Sequence, residues 1–449
     1  MKYKHIALSG IALLGLSTTT MAADLGVLTS LDVCDALGLS GLTISSETNC
    51  LQISGGVSYE FNWGDYRGAY QWADTELGPP PTTPISTLYP NGPDGANLDW
   101  ESRVEAWLRL VGTADSDFGP AKANIKLRQI QYPRVQNQAP DTDGLFATDS
   151  VEINEAYVSI GDDTVIMAGR KSSIANFDDD VPYNFLGLAN SSGVLFGGVT
   201  YAAPVPTGNH VIQVVSDLGN GVSVGAGLEN LADDTPEEAG TLVGVVQYRG
   251  ENISAHVTGL AGGVLDGTIE TYALHAGFTG TFDIFRVRAA VAADSEGFWN
   301  ALATAQATFD IFEIALSAEA ATDRDLAGPG PADDTLTGDI DWGVGGSIGA
   351  TISDGVAIKL GGRYYSDAFS DVDGYQIAAQ LVADVTENLT ATAEIGVYGT
   401  DNPTLPETDF YGAAELAWAP GGGFTSSLKG EAHQTGAYRV TFKAAKSFE

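Results

Sequence analysis

Hydrophobic side chains recur at every second position, segment after segment, and that period limits the fold more than any other feature. Val104, Ala106, Leu108 and Leu110 share one parity, while Arg103, Glu105, Trp107 and Arg109 share the other. Ala121, Ala123, Ile125 and Leu127 oppose Lys122, Asn124, Lys126 and Arg128. Phe285, Val287, Ala289 and Val291 oppose Arg286 and Arg288, and Phe312, Ile314, Leu316 and Ala318 oppose Glu313, Ser317 and Glu319. Ile358, Leu360 and Tyr364 likewise oppose Lys359 and Arg363. Successive side chains of a strand point to opposite faces, so each segment reads as a strand with one apolar and one polar face. No helical period persists, and the chain is all-β.

The breaks between segments carry the topology. Short ones, such as Gly219-Asn220-Gly221, Gly250-Glu251-Asn252, Ser353-Asp354 and Thr386-Glu387-Asn388, alternate with long polar stretches at 64–98, 133–149, 171–207, 231–239, 322–337 and 399–407. Tight turns at one end and long loops at the other predict a transmembrane antiparallel up-and-down β-barrel. The segments run to about ten residues, enough for a tilted strand to cross a bilayer. Charges keep off the apolar parity, as lipid demands, since a cation at the midplane costs about 2–4 kcal/mol. The polar face must then meet water inside the barrel. Candidate strands number about 16 to 20, because boundary errors can merge neighbours. A soluble β-sandwich or other secreted carbohydrate-active β protein shares the parity; an export signal, the turn asymmetry and the final strand favour the barrel.

Residues 1–22 read as that signal. Lys2 and Lys4 precede an apolar stretch from Ile6 to Leu16, and Thr20-Met21-Ala22 supplies small residues before a cut ahead of Ala23. No later apolar run is long enough for a transmembrane helix. Cys34 and Cys50 are the two cysteines. In an exported chain their spacing predicts a disulfide rather than a metal pair, contributing roughly 3 kcal/mol by constraining the unfolded chain. The expected layout is a signal at 1–22, an N-terminal segment at 23–51 and a pore domain at 52–449.

Two stretches resemble a known family. Val33-Cys34-Asp35-Ala36-Leu37-Gly38, followed by Cys50-Leu51-Gln52-Ile53-Ser54-Gly55, is similar to the mature N-terminus of alphaproteobacterial general porins. Glu155-Ala156-Tyr157-Val158 through Ala168-Gly169-Arg170, with Ala175-Asn176-Phe177-Asp178 beyond, resembles the strand pair before that family's third loop. The resemblance implies an outer-membrane homotrimer of water-filled barrels, usually of sixteen strands, each narrowed by an inward-folded third loop, here 171–207. The chain departs from the pattern in its higher strand count and in Glu449 after the aromatic Phe448.

The charge is uneven. Acids number 58 against 21 Lys and Arg, for a net charge of −37. No field exists to neutralise phosphates, so nucleic acid is excluded as a partner. Eight cations nevertheless fall between 100 and 175: Arg103, Arg109, Lys122, Lys126, Arg128, Arg134, Arg170 and Lys171. Five of these share the polar parity of two adjacent strands, and the acidic triplet Asp178, Asp179, Asp180 follows in the loop. Arg103, Arg109, Lys122, Lys126, Arg128 and Arg170 are the expected cationic wall of a pore constriction, and the triplet is its acidic side. The opposed charges would set a transverse field that orients water and dipolar solutes. The bland alternative is a set of salt-bridged wall residues.

Enzymatic patterns fail. Gly221–Gly225 and Gly345–Gly349 match G-x-S-x-G, but both lie in alternating segments where the motif needs a strand–turn–helix. The mature histidines His210, His256, His275 and His433 lack metal-ligand spacing. Acidic clusters at Asp141 and Asp143, and at Asp233, Asp234, Glu237 and Glu238, offer oxygen ligands for Ca²⁺ without the spacing of a calcium loop, so no cofactor is expected. The expected function is passive, cation-preferring diffusion of small hydrophilic solutes and ions. A channel selective for sugars or anionic solutes is the alternative, with Trp107 and Tyr365 as aromatic contacts.

Overall fold

The structure is a computed structural model, and it describes residues 32–64, 100–134, 150–178, 181–184, 205–232, 239–269, 271–322, 340–367, 372–401, 408–434 and 438–449. The signal segment 1–22 therefore lies outside the described residues. A short helix α1 (Asp32–Ala36) and a short strand β1 (Thr43–Ser45) precede the main body. Then come β2 (Asn49–Trp63), β3 (Trp100–Ala114), β4 (Ala121–Arg134), β5 (Glu152–Gly161), β6 (Thr164–Lys171) and β7 (Asn209–Gly219). β8 (Val222–Glu229), β9 (Thr241–Arg249), β10 (Ile253–Gly262), β11 (Thr271–Phe282), β12 (Phe285–Asp294), β13 (Trp299–Phe309) and β14 (Phe312–Thr322) follow. The last are β15 (Ile340–Ser353), β16 (Val356–Asp367), β17 (Val372–Thr386), β18 (Leu389–Thr400), β19 (Thr408–Gly421), β20 (Phe424–His433) and β21 (Tyr438–Phe448).

From β2 onward each strand pairs antiparallel with the next, and β21 pairs back onto β2 from Gly55↔Phe448 to Trp63↔Val440. The ring is closed, so no sheet edge is left with unpaired backbone groups. Thr441 donates to the Asn62 side chain across the seam at 2.6 Å. Twenty described strands form the barrel, which corrects the sixteen implied by family resemblance. Strand number follows the count of alternating segments, and tight hairpins such as Phe309-Asp310-Ile311-Phe312 each divide what the eye can merge. Barrel diameter grows with strand number.

The alternation survives residue by residue. On β14, Leu316 is 64% exposed and Ala315 1%; on β18, Ile395 is 70% exposed and Glu394 3%. Large apolar side chains thus face outward around the ring, a band that only lipid covers stably. Aromatic residues gather at both ends of it. Trp63 packs on Tyr438 and Trp342 on Tyr364 toward the long loops, and Phe285 on Phe309 and Trp418 on Phe424 toward the short turns. These are the girdles of a membrane barrel. Among the described residues no helix is long and apolar enough to cross a membrane; the crossing is made by strands.

Local chemistry sets the short-turn end. Asn220 and Gly221 both have positive φ, 54° and 80°, the pair of left-handed residues that closes a two-residue hairpin with the twist of its strands. Lys446, which breaks the apolar parity of β21, reaches the Gly422 carbonyl of the neighbouring turn and the Ser447 carbonyl at 2.7 Å. Below this end, Cys34 in α1 is joined to Cys50 in β2 by the expected disulfide, both residues fully buried.

Candidate functional site

The segment after β6 leaves the long-loop end and turns into the barrel, where inner-wall side chains hold its main chain. Glu229 of β8, fully buried, accepts from the Ile174 N–H at 3.0 Å, the Gly208 N–H at 2.7 Å and the Gln213 amide at 2.7 Å. Gln213 of β7 also donates to the Ser172 carbonyl at 3.0 Å. Thr258 of β10 donates to the Asn176 carbonyl at 2.8 Å and accepts from its N–H at 3.1 Å, while the Asn176 side chain donates to Gln247 of β9. Ile174, Ala175 and Phe177 pack on Val205, Val243, Leu260 and Ala273. Phe177 meets His275 edge-on at 5.5 Å, and His275 stacks on His256 with a 2.9 Å hydrogen bond between the rings.

Farther along, the Tyr183 N–H donates to Thr304 of β13 at 3.1 Å, and Ser317 of β14 donates to the Asn184 side chain at 2.6 Å. Arg288 of β12 donates to the Val181 carbonyl at 2.7 Å and to Thr279 of β11 at 3.1 Å. Both Arg286 and Arg288 place their guanidinium carbons 4.7 Å from the centroid of the Tyr183 ring. The described parts of the loop thus run along the inner faces of β7 to β14.

The cations of β3 and β4 occupy another arc of the inner wall. Arg103 and Arg128 both reach Glu105, at 2.7 and 2.9 Å. Arg109 and Lys126 share Glu155 of β5, at 2.9 and 3.9 Å, and Lys126 lies 5.7 Å from the centroid of the Trp107 ring. Among the described residues four cations thus share two carboxylates, and each of these side chains is about a quarter or more exposed. Lys122 lies on the same inward parity at the short-turn end of β4, exposed.

Two expected members sit elsewhere. Arg170 pairs with Ala156 and His210 and shares the parity of Ile166, which is half exposed on the outer face; it does not join the wall. Its neighbour Lys171 takes the inward place, 5.7 Å from the Tyr157 ring centroid. Asp178 pairs with Arg249 of β9 at 3.6 Å, on the arc where the loop docks rather than with β3 or β4. Asp179 and Asp180 lie outside the described residues, as do Asp141, Asp143, Asp233, Asp234, Glu237, Glu238 and the side chains of Arg134 and Tyr365.

Other polar groups emerge from the structure alone. On β17 to β20, Gln376 donates to Tyr398 and Tyr411, Tyr411 to Glu394 at 2.8 Å, and His433 bonds Asp409 at 2.6 Å, all on the inner wall. Period-two reading already put Arg286 and Arg288 on the inner parity; what it lacked was the loop that meets them and the part of Glu229 in anchoring it. The G-x-S-x-G matches lie within β8 and its turn and within β15, with no helix following. No group of three His, Cys, Asp or Glu among the described residues is placed to hold a metal ion.

A closed barrel with a lipid-facing exterior, a polar inner wall and a loop docked inside it defines an outer-membrane channel protein, not an enzyme. The chain belongs to a porin subfamily, whose family model matches residues 30–411. Among solved structures, a mutant of the Rh. blastica porin aligns over 89% of this chain and 100% of its own at 10% identity, with a TM-score of 0.42. The outer-membrane channel DcaP of Acinetobacter baumannii aligns over 91% of this chain and 100% of its own at 14% identity and a TM-score of 0.36. An anion-selective porin from Comamonas acidovorans aligns over 89% and 100% at 14% identity and a TM-score of 0.38. No curated protein matches the chain. The family assignment rests on the family model.

Proposed function

We propose that the protein is a homotrimeric pore, exported through its 1–22 signal, that lets small hydrophilic solutes and ions diffuse passively across the outer membrane with a preference for cations. The observation that carries this reading is the loop anchored inside the barrel by Glu229, Thr258 and Arg288. A segment held there takes up cross-section, so the narrowest passage lies between it and the free arc bearing Arg103, Arg109, Lys122, Lys126 and Arg128. Asp178, with Asp179 and Asp180 next in sequence, supplies carboxylates on the loop side. Charges of opposite sign across a narrow aqueous gap orient dipolar solutes and exclude apolar ones. Cation preference follows from the net charge of −37, since an acidic mouth raises the local cation concentration.

Planar bilayers under a KCl gradient test both levels. The purified protein is expected to conduct, with a reversal potential on the cation side at low salt that declines as salt screens the mouth. Absence of conductance overturns the channel, and a reversal potential on the anion side overturns the cation preference alone.

A further inference from the structure

Arg286 is unusual in a chain where acids outnumber cations nearly threefold. It is the second residue of β12, on the inward parity with Arg288, Ala290 and Ala292, while Phe285 and Val291 face outward. Among the described residues no carboxylate comes within ion-pair distance of it; its partner is the face of the Tyr183 ring. Arg103, Arg109, Lys126 and Arg128 of β3 and β4, by contrast, each have a glutamate.

Stacking and hydrogen bonding use different parts of a guanidinium. The ring covers the flat face, whereas the N–H donors lie in the plane and point outward from its edge. Tyr183 therefore fixes the orientation of Arg286 without consuming its donors. Arg288, on the same ring, is tied to Thr279 and to the Val181 carbonyl, which keeps the ring and the loop in place beside it. A planar fork held rigid, half-desolvated and without its own carboxylate among the described residues is built to take an oxyanion bidentately. The inward parity restricts the partner to molecules in the lumen and excludes lipid head groups.

We infer that Arg286, stacked on Tyr183 beside Arg288, is a docking subsite for small solutes bearing a carboxylate or phosphate group. The inference rests on the channel reading and adds a solute class to it. It is compatible with an acidic mouth: the mouth sets which ions are concentrated, and the subsite sets which solutes are detained inside.

The test is blockade of single-channel current by inorganic phosphate, with chloride and ionic strength held constant. Wild-type protein is expected to show saturable blockade. Arg286→Gln should raise the half-blocking concentration about tenfold, the loss of one charge-assisted pair. Arg286→Lys, which keeps the charge but not the fork, should fall between them, and Tyr183→Leu should also weaken blockade. Lys359→Gln removes an inward cation of β16 and should leave the half-blocking concentration within about twofold of wild type. Each variant is checked for the heat-dependent gel shift of a folded barrel. A conducting wild-type channel without saturable blockade overturns the subsite and leaves the channel standing. An Arg286→Gln variant that blocks like wild type, or matches Lys359→Gln, overturns it as well, since a diffuse field then explains the effect.

Discussion

Glu229 ties the inward loop at two points with one carboxylate. Its oxygens take the N–H groups of Ile174, near the loop's start, and of Gly208, at its end, together with the Gln213 amide. Glu229→Ala strands these donors in a buried site, at a cost on the order of 3 kcal/mol. The loop is then expected to undock: single-channel conductance should rise and become noisier, with the folded gel shift retained. Unchanged conductance would show that the loop does not depend on this anchor. The same side chain shows where reading by residue type stops. As one acid among 58 in a Gly-rich strand it carries no signal, because its partners lie 21 and 55 residues away in sequence. The wall cations were legible individually through parity, whereas their sharing of Glu105 and Glu155 depends on cross-strand register.

Hairpins show how an element enforces the barrel. Gly219 and Gly221 flank one turn with nearly equal φ, 78° and 80°. A Cβ on Gly221 would stand 2.3 Å from the Arg249 carbonyl oxygen of β9, whereas a Cβ on Gly219 meets nothing within 4 Å. Both Gly→Ala changes bear the backbone cost of the left-handed region, about 1 kcal/mol or more. Gly221→Ala adds a clash with backbone that cannot move without opening the β8–β9 pairing. Refolding into detergent should therefore yield clearly less heat-modifiable protein for Gly221→Ala than for Gly219→Ala; equal yields would show that the clash is relieved. At the same scale Lys171 takes the inward place expected of Arg170. Strand parity allots inward and outward places strictly in turn, and only the pairing with Ala156 and His210 shows which of the two looks inward.

Across the whole molecule, two solvents meet one sheet. Outward Leu316 and inward Glu313 are near neighbours on β14, yet arginine should affect them very differently. Leu316→Arg puts a charge in lipid and should cost about 2–4 kcal/mol, while Glu313→Arg faces the interior and should cost far less. Urea titration in lipid vesicles measures the difference, and equal destabilisation would contradict the lipid-facing assignment. The net charge of −37 has its place in this division: Glu105, Glu155, Glu229 and Glu394 lie on the inner wall, whereas the outward Arg170 stands at the long-loop end of β6.

The sequence by itself determined the all-β class, the membrane-crossing strand period, the polarity of each face and the disulfide, because all of these are set by neighbours in the chain or by parity. Tertiary structure decided the twenty-strand closure, the path of the loop along β7 to β14, the pairing of Asp178 with Arg249 and the stacking of Arg286 on Tyr183. The loop contacts join residues up to 133 positions apart and the closing seam joins Gly55 to Phe448, and such pairs come together only once the ring has closed and its interior exists.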